Sequence, residues 1–194
     1  MLRPLFPAVL LAALCMLSAI AHGAGPAAGG DPAFRLASDE LVPGGRVQPR
    51  HVYNGFGCSG GNLSPALSWS GAPGGTRSFA ITVFDPDAPT GHGWWHWLIY
   101  DIPAASTTLA AGAGDPASGK APPGSMQAVT DFGTAGFGGP CPPPGDKPHR
   151  YVFTLYALSV GKLAAGRGAT AAAVDAMLNA GMIEKTGFTV YYGR

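Results

Sequence analysis

The sequence predicts a mainly β domain of many short strands joined by tight turns, with one helix towards the C-terminal end. Three observations carry that prediction. Thirty Gly and 19 Pro make up about a quarter of the 194 residues, and they punctuate runs rich in aromatic and β-branched residues. Gly supplies positive φ and Pro presets a turn, so such punctuation marks strand ends. Three of the runs, at 78–84, 95–100 and 151–158, have the composition of strands. Only residues 170–180 combine helical spacing of apolar residues with a high alanine content.

Taken in chain order, residues 1–21 read as a secretory signal peptide. Arg3 supplies the positive start, positions 5–20 are almost unbroken apolar sequence, and Ala19 and Ala21 are the small residues a signal peptidase requires. Cleavage is expected after Ala21, with Ala24 as the alternative. The run is short for a span of about 20 apolar residues, so no transmembrane segment is expected in the mature form. Leu14 precedes Cys15 where a lipoprotein signal would carry a small residue, which argues against lipidation. Residues 22–33 are small and aperiodic and read as a flexible tether. Residues 34–194 contain no linker or repeat and form one domain.

Within that domain, 34–38, 66–69 and 188–191 are weaker strand candidates. In 78–84, Phe79, Ile81 and Val83 share one face. Runs 95–100 and 151–158 are apolar on both faces and are expected to be central strands covered on both sides. Residues 101–149 read as mostly loop, and a loop of that length tends to be functional or disordered. Thr170 caps the helix and Gly181 stands where a C-terminal cap is expected. Val174, Met177 and Leu178 are expected to pack on a sheet.

The charge pattern excludes some partners. Twelve basic and 11 acidic residues leave a net charge of +1, without a basic stripe to follow a nucleic-acid backbone. Removal of the leader also removes Cys15 and leaves Cys58 and Cys141. An even pair in an exported chain reads as a disulfide, since oxidising compartments preserve such bonds.

Chemistry concentrates at three points. Asp85-Pro86-Asp87-Ala88-Pro89 is a rigid turn after a buried strand, and Asp85 has the parity of Phe79, Ile81 and Val83. A carboxylate continuing a buried face needs a partner. Asp87 has the simpler reading of a brace that accepts backbone N–H bonds. His96 alternates with Trp95 and Trp97 and shares a face with Trp94 and Leu98, which fits a core residue as well as a ligand contact. His149 opens the run that continues through Tyr151, after the glycine- and proline-rich loop 138–146. These residues have no metal-ligand spacing, and no cofactor is implied. Ser59 and Ser64 lack a strand-to-helix elbow, so no nucleophile is apparent and enzymatic activity is not expected. Two imidazoles, a tyrosine hydroxyl and loop N–H groups together suit a small anion. If both imidazoles donate, binding should weaken as pH rises past about 6.5 to 7.5.

The Asp85-Pro-Asp-Ala-Pro89 turn, Trp95-His-Trp97, Gly138-Gly-Pro-Cys-Pro142 and Pro148-His-Arg-Tyr151 occur in the order of the phosphatidylethanolamine-binding protein family. With Cys58-Ser-Gly-Gly-Asn-Leu-Ser-Pro65 the chain resembles the bacterial, Raf kinase inhibitor-like branch. That resemblance implies an antiparallel β-sandwich with a Greek-key element and a C-terminal helix beside the pocket. It also implies a pocket for phosphate-bearing headgroups or small carboxylates, walled by Asp85, Ala88, Pro89, Trp94, His96, Gly138, Gly139, Pro140, His149 and Tyr151. The expected role is a periplasmic or secreted binding protein for a small anion or phospholipid headgroup. Inhibition of a protease or kinase is the alternative, a weak hydrolase comes third, and a homodimer stays open. The short Thr90-Gly-His-Gly93 turn and the cysteine in the Gly-Pro loop depart from the eukaryotic members.

Overall fold

A computed structural model of the chain describes Met1, Leu2 and residues 33–194, and the account below concerns 33–194. The expected leader and tether otherwise lie outside the described residues. The strands are β1 (Arg35–Ala37), β2 (Asn54–Gly55), β3 (Cys58–Ser59), β4 (Leu67–Ser70), β5 (Ser78–Asp85), β6 (Trp94–Pro103), β7 (Thr108–Leu109), β8 (Met126–Gln127), β9 (His149–Leu158) and β10 (Met182–Tyr192), with one α-helix, α1 (Ala171–Gly181). A five-stranded sheet runs β10-β9-β5-β6-β8 and a three-stranded sheet runs β1-β4-β7, all pairs being antiparallel.

The two sheets pack face to face because each offers an apolar face. Leu36, Leu67 and Trp69 of the small sheet meet Phe79, Ile81, Val83, Trp97, Ile99, Tyr151, Phe153 and Leu155 of the large one. The small sheet follows a strict alternation, with Leu67 and Trp69 buried and Ser68 and Ser70 exposed, as a sheet with one wet face should. The other face of the large sheet carries Ala80, Leu98, Tyr100, Tyr156 and Leu158, and α1 covers it with Ala171, Val174 and Leu178. β5, β6 and β9 are therefore buried on both sides. At about 25 cal/mol per Å² of apolar surface removed from water, this second core is what holds an 11-residue helix that would be marginal alone.

Three local expectations are corrected. The helix does not end on a left-handed glycine: Gly181 is its last residue, Met182 is extended, and β10 begins there. Ser159 satisfies the orphaned Gly181 carbonyl with both its N–H and its hydroxyl, at 2.9 and 3.0 Å, which replaces the glycine cap. Strand β10 starts six residues before the expected 188–191 run, because pairing with β9 overrides the weak strand propensity of that polar stretch. The 101–149 loop contains the two-residue strands β7 and β8, too short to leave a period-2 signal. Thr170 caps α1 as expected, accepting from Ala173 N–H at 3.3 Å. Among the described residues no helix is long and apolar enough to cross a membrane.

Candidate functional site

The parity of β5 carries Asp85 onto the sandwich face, where its side chain is almost completely buried. His149 is the first residue of the neighbouring β9, and its Nδ1 lies 2.8 Å from Asp85 Oδ2. Asp85 Oδ1 accepts the Asp87 N–H at 2.8 Å, so the proline-bounded turn also orients the carboxylate. On the far side of His149, Nε2 lies 3.4 Å from Asp146 Oδ2. Asp87 itself faces outwards as a brace. It accepts the Arg150 N–H at 2.8 Å and a two-pronged guanidinium contact at 2.7 to 3.2 Å, and that hydrogen bonding holds its carboxyl down at about 2. Because the folded value lies below the ordinary 3.8, this contribution is present above that pH and is lost as pH falls towards 2. The difference in melting temperature between wild type and Asp87→Asn should therefore vanish between pH 5 and 2. A constant difference would refute the brace.

His96 reaches the same place by a route that simple alternation does not give. Val83 pairs with Trp97, but the next residue, Phe84, pairs with Trp95, and Asp85 pairs with Trp94. His96 is thus the extra residue of a β-bulge, and beyond it the facing of β6 reverses. Trp95 joins the helix side, while His96 turns towards the sandwich side and packs against Tyr151, with ring centroids 5.0 Å apart. The expectation that His96 shares a face with Leu98 and opposes Trp97 is corrected by this bulge: Leu98 belongs to the helix-side core and Trp97 to the sandwich core.

The bulge also fixes the chemistry of His96. Its Nδ1 lies 2.7 Å from the Gly138 carbonyl, while Gly138 N–H donates to the His96 carbonyl at 2.8 Å. A carbonyl only accepts, so Nδ1 carries the proton. Burial pushes the imidazole down to about 4 against the opposing pull of Gly138 and Asp85, so near neutral pH the ring is uncharged and Nε2 is a bare acceptor. The expectation of a charge-assisted donor at His96 is thereby revised. Tyr151 Oη is enclosed without a hydrogen-bond partner among the described residues, and burial beside the Asp85 charge pushes its phenol up.

These groups line a cavity of about 190 Å³. Of the expected wall residues, Asp85, Ala88, Pro89, Trp94, His96, His149 and Tyr151 border it. Gly138, Gly139 and Pro140 do not border it; Gly138 and Pro140 stand behind the wall, beside His51 and Val83. Gly138 orients His96. Gly139 donates its N–H to Asn62 Oδ1 at 2.8 Å, and a Cβ on it would collide with the His51 carbonyl. The sequence reading missed Phe56, Thr90, Phe132, Cys141, Pro142 and Pro143, which complete the lining. Phe132 is the hub of the missed wall, touching Tyr53, Phe56, Trp94 and His96 with centroids 4.5 to 5.9 Å apart. An aromatic isolated in a glycine-rich loop, with no strand to bury it, was the available signal. Cys58 and Cys141 form a disulfide, with Cα atoms 6.1 Å apart, which joins the β2–β3 turn to the Gly-Pro loop. Among the described residues, no group of three or more His, Cys, Asp or Glu is placed to hold a metal ion.

A family profile described as phosphatidylethanolamine-binding protein matches residues 37–193. The chain belongs to that family. YbcL, a UPF0098 protein of Escherichia coli (strain K12), is 51% identical over 160 residues, covering 82% of this chain and 87% of YbcL. The crystal structure of E. coli YbcL, described as a new member of the mammalian family, superposes with a TM-score of 0.81 at 50% identity, over 83% of this chain and 98% of that one. A homologue from Chlamydia trachomatis, CT736, superposes at 0.69 with 28% identity, over 84% and 98% of the two chains. This phosphatidylethanolamine-binding family member therefore carries, at one end of its large sheet, a cavity with a polar floor of Asp85, His96 and His149 and a rim of Phe56, Trp94 and Phe132.

Proposed function

We propose that this protein is an exported binding protein whose cavity takes the phosphate or carboxylate end of a small ligand, and that it is not an enzyme. The observation that supports this reading best is the union of one small cavity with a hydrogen-bonding floor and an aromatic rim, the usual arrangement of a ligand site. The Ala88 and Cys141 N–H groups, both on lining residues, have no protein acceptor among the described residues and are available to an anion. Thr90, the lining residue with an aliphatic hydroxyl, donates it to the Gly93 carbonyl at 2.6 Å, and Cys141 is spent in the disulfide, so the wall offers no activated nucleophile. Export is supported by the apolar N-terminal run and by the disulfide.

Calorimetric titration with inorganic phosphate tests the site. Wild type should bind, and His149→Ala, which removes the group that holds Asp85, should weaken binding by at least about tenfold, the scale of one charge-assisted hydrogen bond. Undiminished affinity in the variant, with an unchanged melting profile, would sink the assignment.

A further inference from the structure

The donors and acceptors on the cavity floor are unequally matched to an anion. Asp85 is held as an acceptor, because each of its oxygens already receives an N–H, from Asp87 and from the His149 ring. His96 presents a second acceptor: its Nδ1–H is committed to the Gly138 carbonyl, and Nε2, which has no partner among the described residues and is not enclosed, is the open edge of a ring that borders the cavity. Among the described residues no Lys or Arg borders the cavity. The nearby guanidinium of Arg150 is paired with Asp87.

A fully ionised oxyanion would therefore set lone pairs against lone pairs and a negative charge against a buried carboxylate, and the one ionisable ring beside it, His149, already lies between two carboxylates, Asp85 and Asp146. An oxyanion that keeps one proton removes both conflicts. Its O–H donates to Asp85 or to His96 Nε2, and its other oxygens remain free to accept from backbone N–H groups. We infer that this cavity selects a proton-bearing oxyanion, a phosphomonoester or hydrogen phosphate, and rejects sulfate and phosphodiesters, which have no proton to donate near neutral pH. The selectivity presupposes the anion-binding reading of the same cavity. It also separates two sources of phosphate: free phosphate and monoesters qualify, whereas the diester of an intact phospholipid headgroup does not.

The test is a calorimetric series on the wild-type chain at pH 6, near the second ionisation of a phosphomonoester, at about 6. The probes are inorganic phosphate, O-phosphoethanolamine, glycerophosphoethanolamine, sulfate and ethanolamine. Phosphate and the monoester should bind at least about a hundredfold more tightly than sulfate and the diester, a margin set well below the roughly 10⁴- to 10⁵-fold with which a site built to hydrogen-bond rejects an analogue that leaves its buried groups unpaired. Asp85→Asn, whose amide can donate, should narrow the gap by gaining sulfate affinity. Comparable binding of all four anions would overturn the selectivity and leave the anion site standing. Binding of none would bring down the anion site itself. Tight binding of ethanolamine and of the diester alone would overturn both, by assigning Asp85 to an ammonium group. The wild-type series decides the matter even where Asp85→Asn fails to fold.

Discussion

Acidification from pH 6.5 to 4 should destabilise this protein by up to about 3 kcal/mol through His96 alone. The sign follows from the two states. Unfolded, the imidazole takes up its proton near 6.5; folded, burial beneath Tyr151 and Phe132 holds it off until about 4. Between those values the unfolded chain binds more protons, so stability falls as pH falls, at about 1.4 kcal/mol per pH unit. Urea denaturation across this range should show wild type losing stability more steeply than His96→Asn, which keeps an amide donor for the Gly138 carbonyl but does not titrate. The comparison cancels the ordinary carboxylates, which titrate in both proteins. Parallel curves would mean that the ring is not held neutral.

That prediction depends on a detail that was hidden in the sequence. Strong strands were legible because their residues are apolar with the right period, and the burial of Asp85 followed from its parity with Phe79, Ile81 and Val83. The helix was legible from Thr170, Val174 and Leu178. A bulge leaves no such trace, since inserting one residue among Trp94, Trp95, His96 and Trp97 changes which side each faces without changing the composition. Simple alternation therefore placed His96 with Leu98, and the reversal shows only in the pairing of Phe84 with Trp95 and of Asp85 with Trp94. The long-range contacts of Phe132 were equally invisible, because they depend on where the 128–138 segment returns in space. The His149 contact to Asp85 spans 64 positions. The residue types at each end suggested a polar site, but their meeting follows from β5 and β9 being neighbours.

Loss of the Cys58–Cys141 bond should cost about 2 to 4 kcal/mol, the range expected for a crosslink that closes a long loop. The two cysteines are 83 positions apart, so in the chain-entropy account the reduced unfolded chain gains much freedom. Local support for the joined loops is thin: β2 and β3 are a two-residue pair, and Phe56 at their turn is largely exposed and has φ of 53°. A second tie bounds the effect on the cavity. Arg194 donates to the carbonyls of Pro142, Gly57 and Phe56 at 2.7, 3.0 and 3.1 Å, spanning the same two loops. The Cys58→Ser/Cys141→Ser protein should therefore unfold at clearly lower urea concentration while its affinity for inorganic phosphate falls by less than about tenfold. Adding Arg194→Ala to it should release Cys141, Pro142 and Pro143 from the wall and weaken phosphate binding further. Reductant should shift the wild-type urea midpoint to that of the double-serine protein and leave the latter unmoved. A wild-type midpoint that stays put once alkylation shows both thiols free would refute the stabilising role of the bond.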